Sequence, residues 1–249
     1  MYRVGWTTCR WPDLLACPSF AAFINKHSVM SRICRAFLSN QRYGLITLTT
    51  LLLASCSATD ETLTPVKDFS QFNTFTNVQI GSGFRTTIRQ GTARQVLISV
   101  PSVDERTLSV TQSSNTLVVE IRNKASKSAI GTVDITMPTL TGADFSGGVA
   151  ATIAGFTTGT LPISQSGGSS VTLSSTVQKL LLTLTGGSRF EGYSTPVTDA
   201  TVALSGGSEA RVAASGTLTI TASGGSRLYY KGTPQLNQNL SGGSTVTSE

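Results

Sequence analysis

The stretch LLLTLTGGSRF (residues 180–190) decides the fold, because its pattern returns as ATVALSGGSEA (200–210), LTITASGGSRL (218–228) and LNQNLSGGSTV (236–246). Each copy alternates apolar and polar positions on both sides of a Gly-Gly pair, as strands with one buried face require. The pairs stand at 147/148, 167/168, 186/187, 206/207, 224/225 and 242/243, with spacings of 20, 19, 20, 18 and 18 residues. A period of that length marks a solenoid, whose units can bury their apolar faces only against neighbouring units. Ser or Thr precedes every pair, and Ser comes after every pair except the first. Two successive glycines suit a tight corner that needs positive φ or close backbone approach.

Aligned on the corner, the copies place apolar residues in columns two positions apart. Before the corner run Leu161, Leu180, Ala200, Leu218 and Leu236, then Ile163, Leu182, Val202 and Ile220, then Phe145, Leu184, Leu204, Ala222 and Leu240. After it come Ala151, Val171, Phe190, Ala210, Leu228 and Val246, then Ile153, Leu173, Val212 and Tyr230. One rung per copy stacks like on like at about 4.8 Å. The pattern therefore predicts an all-β chain folded as a parallel β-helix, a β-solenoid with rungs of about 18–20 residues. Upstream, from Phe69, short β signals predict strands near 74–80, 84–89, 95–100, 107–111, 117–122 and 133–137, with Pro101 and Pro138 at strand ends. The segment from Cys56 to Asp68 is polar and aperiodic and reads as a tether, so the β-helix domain is expected over 69–249.

The polar positions between the apolar columns have a register of their own. Arg189, Glu209 and Arg227 fall in one outward column on successive rungs, and Glu191, Arg211 and Tyr229 fall in the next. Opposite charges one rung apart contribute about 0.2 to 1 kcal/mol per pair, so the plain reading is a charge ladder that holds rung register. The other reading is a binding face on those six residues, of the carboxylate and arginine kind that β-helix polysaccharide lyases use. The acids Asp144, Glu191, Asp199 and Glu209 lie in different columns or beside arginines, so no pair is presented for acid–base work and no catalytic residue is expected. The corners lack the Asp of calcium-binding nonapeptide repeats, and neither a metal nor a cofactor is expected. Tyr229 faces outward in this register and Tyr230 inward. The span from Ser244 to Thr247 reads as an open edge, which invites end-to-end pairing of two copies.

Charge and cysteine must be read separately on either side of Cys56. Six of the 19 Lys and Arg and one of the 13 Asp and Glu precede it, which leaves thirteen basic against twelve acidic residues after it. The pI of 9.4 therefore belongs mostly to the N-terminal segment, and nucleic acid is discarded as a partner. Cys9, Cys17, Cys34 and the sole histidine, His27, also precede Cys56. From Cys56 onward the chain has no second cysteine and no histidine, which excludes disulfides, a Ser/His/Asp triad and zinc sites built from Cys or His.

Arg32, Arg35 and Arg42 lead into an apolar run from Tyr43 to Ala54, too short to span a bilayer and proportioned like a signal-peptide core. The run ends in Leu53, Ala54, Ser55 and Cys56, which resembles the lipobox of bacterial lipoproteins. That resemblance implies a leader over 1–55, starting at Met30, removed so that Cys56 carries acyl chains. At about 0.8 kcal/mol per buried methylene, several chains make a stable anchor. Ser57, where Asp would retain such a protein at the inner membrane, points to the outer membrane. Asp60 and Glu61 resemble a short acidic surface-export signal, though solvation of a linker explains them equally.

The strands between Asn73 and Asn123, the Gly81 and Gly83 turn, the Leu117 to Ile121 strand, and Val133 to Pro138 leading into Ser146-Gly147-Gly148 resemble the DUF2807 group, the auto-transporter adhesin head GIN domain. The resemblance runs from about 69 to 245. It implies a right-handed β-helix and an exported, often lipid-anchored protein of Bacteroidetes, and it brings no catalytic residues. Three functions stand as expectations: an adhesion or binding module with a glycan or surface-protein ligand, a carbohydrate-active β-helix enzyme, or a structural or stress-response envelope component without a ligand.

Overall fold

The computed structural model describes residues 65–123 and 130–249. The expected leader, the lipobox and most of the tether lie outside the described residues. Seventeen strands run in chain order: β1 (Lys67–Asp68), β2 (Asn77–Ile80), β3 (Arg85–Gln90), β4 (Gln95–Ser99), β5 (Leu108–Ser113) and β6 (Thr116–Ile121). Next come β7 (Thr132–Met137), β8 (Gly142–Phe145), β9 (Ala150–Gln165), β10 (Ser170–Leu184), β11 (Arg189–Val197) and β12 (Asp199–Leu204). The series closes with β13 (Glu209–Ala214), β14 (Thr217–Ala222), β15 (Arg227–Lys231), β16 (Gln235–Leu240) and β17 (Thr245–Ser248). Together they form a β-solenoid.

Two parallel walls meet at the glycine corners. The first stacks β6, β2, β8, the end of β9, the end of β10, β12, β14 and β16. The second stacks β7, β3, the start of β9, the start of β10, β11, β13, β15 and β17. The register matches the sequence columns: Leu180 lies beside Leu161 and Ala200, and Phe190 beside Val171 and Ala210. Their side chains point inward and are buried, because the polar alternates take the solvent side of each wall.

The corners explain why the repeat reads Ser-Gly-Gly-Ser. Both glycines have positive φ, as in Gly206 (66°) and Gly207 (77°), the requirement of a type I′ turn. A Cβ on Gly206 would lie 3.0 Å from the backbone nitrogen of Gly186 on the adjacent rung, whereas one on Gly207 would meet nothing within 4 Å. The first glycine is thus fixed by stacking and by φ, the second by φ alone. The serine after the pair is fully buried at 169, 188, 208 and 226, and its hydroxyl donates to the carbonyl three residues earlier, as from Ser208 to Ser205 at 2.7 Å. It satisfies a turn carbonyl that the ladder leaves without a strand partner.

Two irregular positions in the columns have local explanations. Gly192 sits where the column holds Leu173 and Val212, and the Phe190 ring occupies the space a Cβ there would enter. Gln165 replaces the apolar residue of the Phe145 and Leu184 column and is 2% exposed. With its amide nitrogen assigned toward the backbone, it donates to the carbonyls of Ser169 at 3.3 Å across its own corner and of Arg189 at 2.8 Å on the next rung, tying two rungs together.

The upstream half departs from a simple sequential coil. The rung formed by β2 and β3 lies between the rung of β6 and β7 and the rung of β8 and β9, so the chain builds its second rung before its first. Its corner, Gly81-Ser82-Gly83, repeats the Gly-Gly geometry with Ser82 at φ 64° and Gly83 at φ 73°. A Cβ on Gly147 would lie 3.2 Å from the Ser82 nitrogen, so this is one more corner in the same stack. A serine tolerates that backbone because its hydroxyl both donates to and accepts from the backbone of Ile121. Beyond it, β5 and β4 pair antiparallel to β6 and β7, and β1 antiparallel to β4. The ladder therefore begins at Lys67, two residues before the expected domain boundary.

Candidate functional site

The six outward residues singled out by the repeat share one face of the second wall. Arg189 lies beside Glu209 and Glu209 beside Arg227, while Glu191 lies beside Arg211 and Arg211 beside Tyr229. Period-two alternation puts all six on the solvent side, because Phe190, Ala210, Val212 and Leu228 between them fill the core.

Arg211 is the centre of the face. Its guanidinium contacts Glu191 Oε1, lies 2.8 Å from Glu209 Oε1, and stacks over the Tyr229 ring with 5.0 Å from Cζ to the ring centroid. Arg189 reaches the same Glu209 oxygen at 3.4 Å. No aligned hydrogen bond reaches that oxygen, so Glu209 is held by charge rather than by directed donors. Its side chain is 16% exposed and that of Arg211 25%, so solvent screens this network less than an ordinary surface pair. The hydrogen bond to Glu191 is the main reason the Arg211 pKa lies above its ordinary value. Arg227 is exposed and makes none of these ion pairs.

A third column, missed in the repeat alignment, extends the face. The β11–β13 register shifts between Gly192 and Pro196, so Tyr193 falls outside the regular spacing. The Lys231 ammonium lies 4.4 Å from the Tyr193 ring centroid, and the Tyr193 hydroxyl donates to Glu249 Oε2 at 2.9 Å. Burial first, and then the bond to Glu249, push the Tyr193 phenol well above its ordinary range. The available signal was the pair of tyrosines, Tyr193 and Tyr229, falling on the one wall already marked by charge.

The remaining acids do not converge. Asp199 Oδ1 accepts the Thr217 N–H at 2.8 Å and supports a strand start. Asp144 stands on the opposite wall between shallow grooves lined by Gln79, Ser164, Ser166 and Thr183. Glu191 and Glu209 share Arg211. Among the described residues no group of three His, Cys, Asp or Glu could hold a metal ion, and no helix is long and apolar enough to cross a membrane. What the geometry can do is recognise: three arginines, a lysine and two tyrosine rings on a flat wall offer stacking and charge-assisted hydrogen bonds.

Fold and face together define a repeat-built β-solenoid with one charged, aromatic wall. The chain belongs to the DUF2807 family, described as "Putative auto-transporter adhesin, head GIN domain", whose pattern matches residues 74–234. Among solved structures it is similar to a "putative adhesin" from Bacteroides fragilis, at 20% identity over 76% of this chain and 96% of that one, with a TM-score of 0.60. A "putative adhesin" from Parabacteroides merdae is similar at 14% identity, over 76% of this chain and 97% of that one, with a TM-score of 0.50. At these identities the likeness is one of fold. No curated protein matches the sequence.

Proposed function

We propose that the chain is a lipid-anchored protein of the cell envelope, held at the outer membrane through Cys56, whose β-solenoid acts as an adhesion or binding module. Family membership supports the binding module, since the family and its solved relatives carry the adhesin description. The Leu53 to Cys56 sequence supports the anchor. The observation that carries the binding face is the Arg211 and Tyr229 stack, flanked by Arg189, Arg227, Lys231 and Tyr193 on one flat wall. Aromatic faces with adjacent cations stack on sugar rings and pair with their acidic substituents. A glycan bearing carboxylate or sulfate groups is therefore the ligand class on this reading, with a surface protein rich in such groups as the peptide equivalent.

A glycan and matrix-protein array tests the face, with the Arg211→Ala, Tyr229→Ala double variant beside the parent. Binding lost in the variant is the expected result, and binding unchanged in the variant would remove these columns from consideration. Shortening of a bound glycan on incubation would move the reading to a carbohydrate-active enzyme. For the anchor, mass spectrometry of the exported chain should find acyl chains on Cys56 and none after Cys56→Ala. Peptides from residues 11–26 in that exported material would overturn both the Met30 start and the leader.

A further inference from the structure

Of the arginines among the described residues, only Arg94 and Arg211 are partly buried, and the others are exposed. Arg211 is held by two carboxylates, Glu191 and Glu209. Arg94 has none within ion-pairing distance among the described residues. Its Nε donates to the Phe75 carbonyl at 3.3 Å, its one bond to those residues. A guanidinium carries five N–H donors in a fixed fork, so the four on the two Nη nitrogens face no described acceptor. Partly desolvated charge is costly without a partner, and an acceptor from outside the chain would complete the set.

Arg94 lines a groove of about 410 Å³ with Ser70, Gly91, Thr92, Gln95 and Thr136, at the turn between β3 and β4. Gly91 lets the turn settle against β7, since a Cβ there would overlap the Thr136 methyl. Gln95 and Thr136 face each other in the β4–β7 register and point to solvent, because Val96, Ile135 and Met137 beside them are buried. The groove therefore opens on the outer side of the second wall, to which β4 adds a strand beyond β7. The acids near it are already engaged. Asp68 Oδ1 accepts the Ser70 N–H at 2.8 Å and also the Ser70 hydroxyl, while Asp134 pairs with Arg89 at 3.5 Å. The backbone N–H groups of Thr92, Ala93 and Arg94 bond no other described backbone group. One positive charge, several donors and no free carboxylate select an oxyanion. Six strand spacings separate β4 from β13, so this groove stands about 29 Å along the wall from Arg211, beyond the reach of one small ligand.

We propose that Arg94, with the Thr92 and Thr136 hydroxyls and the Gln95 amide, forms an anion-binding site separate from the Arg211 and Tyr229 face. It takes a carboxylate, sulfate or phosphate group through the two Nη nitrogens, and the guanidinium fork can pair bidentately with any of the three.

NMR titration of the 15N-labelled full chain tests it, with Cys56→Ser so that no acyl chain is attached. Sodium glucuronate, sodium sulfate and sodium phosphate are the probes, each compared with sodium chloride at equal ionic strength. Saturable shifts of the Arg94 Nε–H and of the Thr92, Ala93 and Gln95 amides are expected with at least one probe and not with chloride, and the probe that saturates at the lowest concentration names the group. Arg94→Gln should weaken that binding by about tenfold or more, as loss of a charge-assisted pair implies. Thr92→Glu, at an exposed position, should abolish it by setting a carboxylate beside the same guanidinium, with the melting temperature close to the parent's. The Arg211→Ala, Tyr229→Ala variant should leave it unchanged, whatever that variant does on the glycan array. Shifts that stay linear with all three probes would overturn the proposal. So would saturable shifts that survive Arg94→Gln and Thr92→Glu, or that disappear in the Arg211→Ala, Tyr229→Ala variant.

Discussion

The upstream and downstream rungs of the solenoid are packed differently. In a stack of rungs the strand edges and apolar columns continue until something covers them. At the upstream end, antiparallel β4 and β5 cover the outermost rung, and the core beneath is large: Phe75, Phe84, Ile88, Ile135 and Met137 are all fully buried. Among the downstream rungs the core thins to Ala210, Ala214 and Ala222, and Leu236 and Leu240 of the last described rung are each 36% exposed. The upstream rungs are therefore the more deeply packed part of the stack, and the downstream rungs the more lightly packed part.

That asymmetry can be broken by measurement, and the largest effect is expected in the cap. Phe84→Ala should cost about 3–5 kcal/mol in urea unfolding, whereas Leu236→Ala, already partly exposed, should cost well under about 2. Equal losses at the two sites would mean that the last rung is as well covered as the first. Next come the corners that join the two ends. Gly206→Ala adds a Cβ against the next rung in a left-handed backbone and should cost about 2–4 kcal/mol. Gly207→Ala meets open space and should cost only the conformational strain of about 1–2 kcal/mol.

A smaller effect should run the other way. The Thr86 hydroxyl is buried in the cap with no hydrogen-bond partner, so Thr86→Val should raise stability by about 1 kcal/mol, read as a higher melting temperature. An unchanged or lower melting temperature would place a partner on that hydroxyl. The smallest effect concerns pH at Tyr193. Tyr193 has a raised folded-state pKa, so the folded state holds its phenol proton more tightly than the unfolded chain does. Its contribution is full below the ordinary tyrosine value of 10.0 and is lost as pH rises above it. Absorbance titration should show one tyrosine ionising later than the rest, and Tyr193→Phe should remove that late step.

The repeat was legible in the sequence because its units are local and periodic. A Gly-Gly corner every 18 to 20 residues with flanking alternation fixes which residues face inward, and the columns found by alignment are the columns that stack. The same periodicity put Arg189, Glu191, Glu209, Arg211, Arg227 and Tyr229 on one wall. Where periodicity failed, the site was incomplete. Tyr193 lies beyond a register shift, and its contacts with Lys231 and Glu249 span 38 and 56 residues of sequence. The Gly81 and Gly83 turn was legible as a turn but not as a corner of the same stack, since a serine held by Ile121 stands where the repeat has glycine.

The sequence by itself determined the β-solenoid, its rung length, its inward columns and the alternation of charge along its outer face. Each of these comes from side-chain alternation and turn chemistry within about twenty residues. Only the tertiary structure decided the order of the upstream rungs, the antiparallel cap, the bridging of rungs by Gln165 and the reach of Tyr193 across its neighbours. Those depend on which distant strands share an edge, and pairing between distant strands is set by packing and backbone hydrogen bonds that no local pattern records.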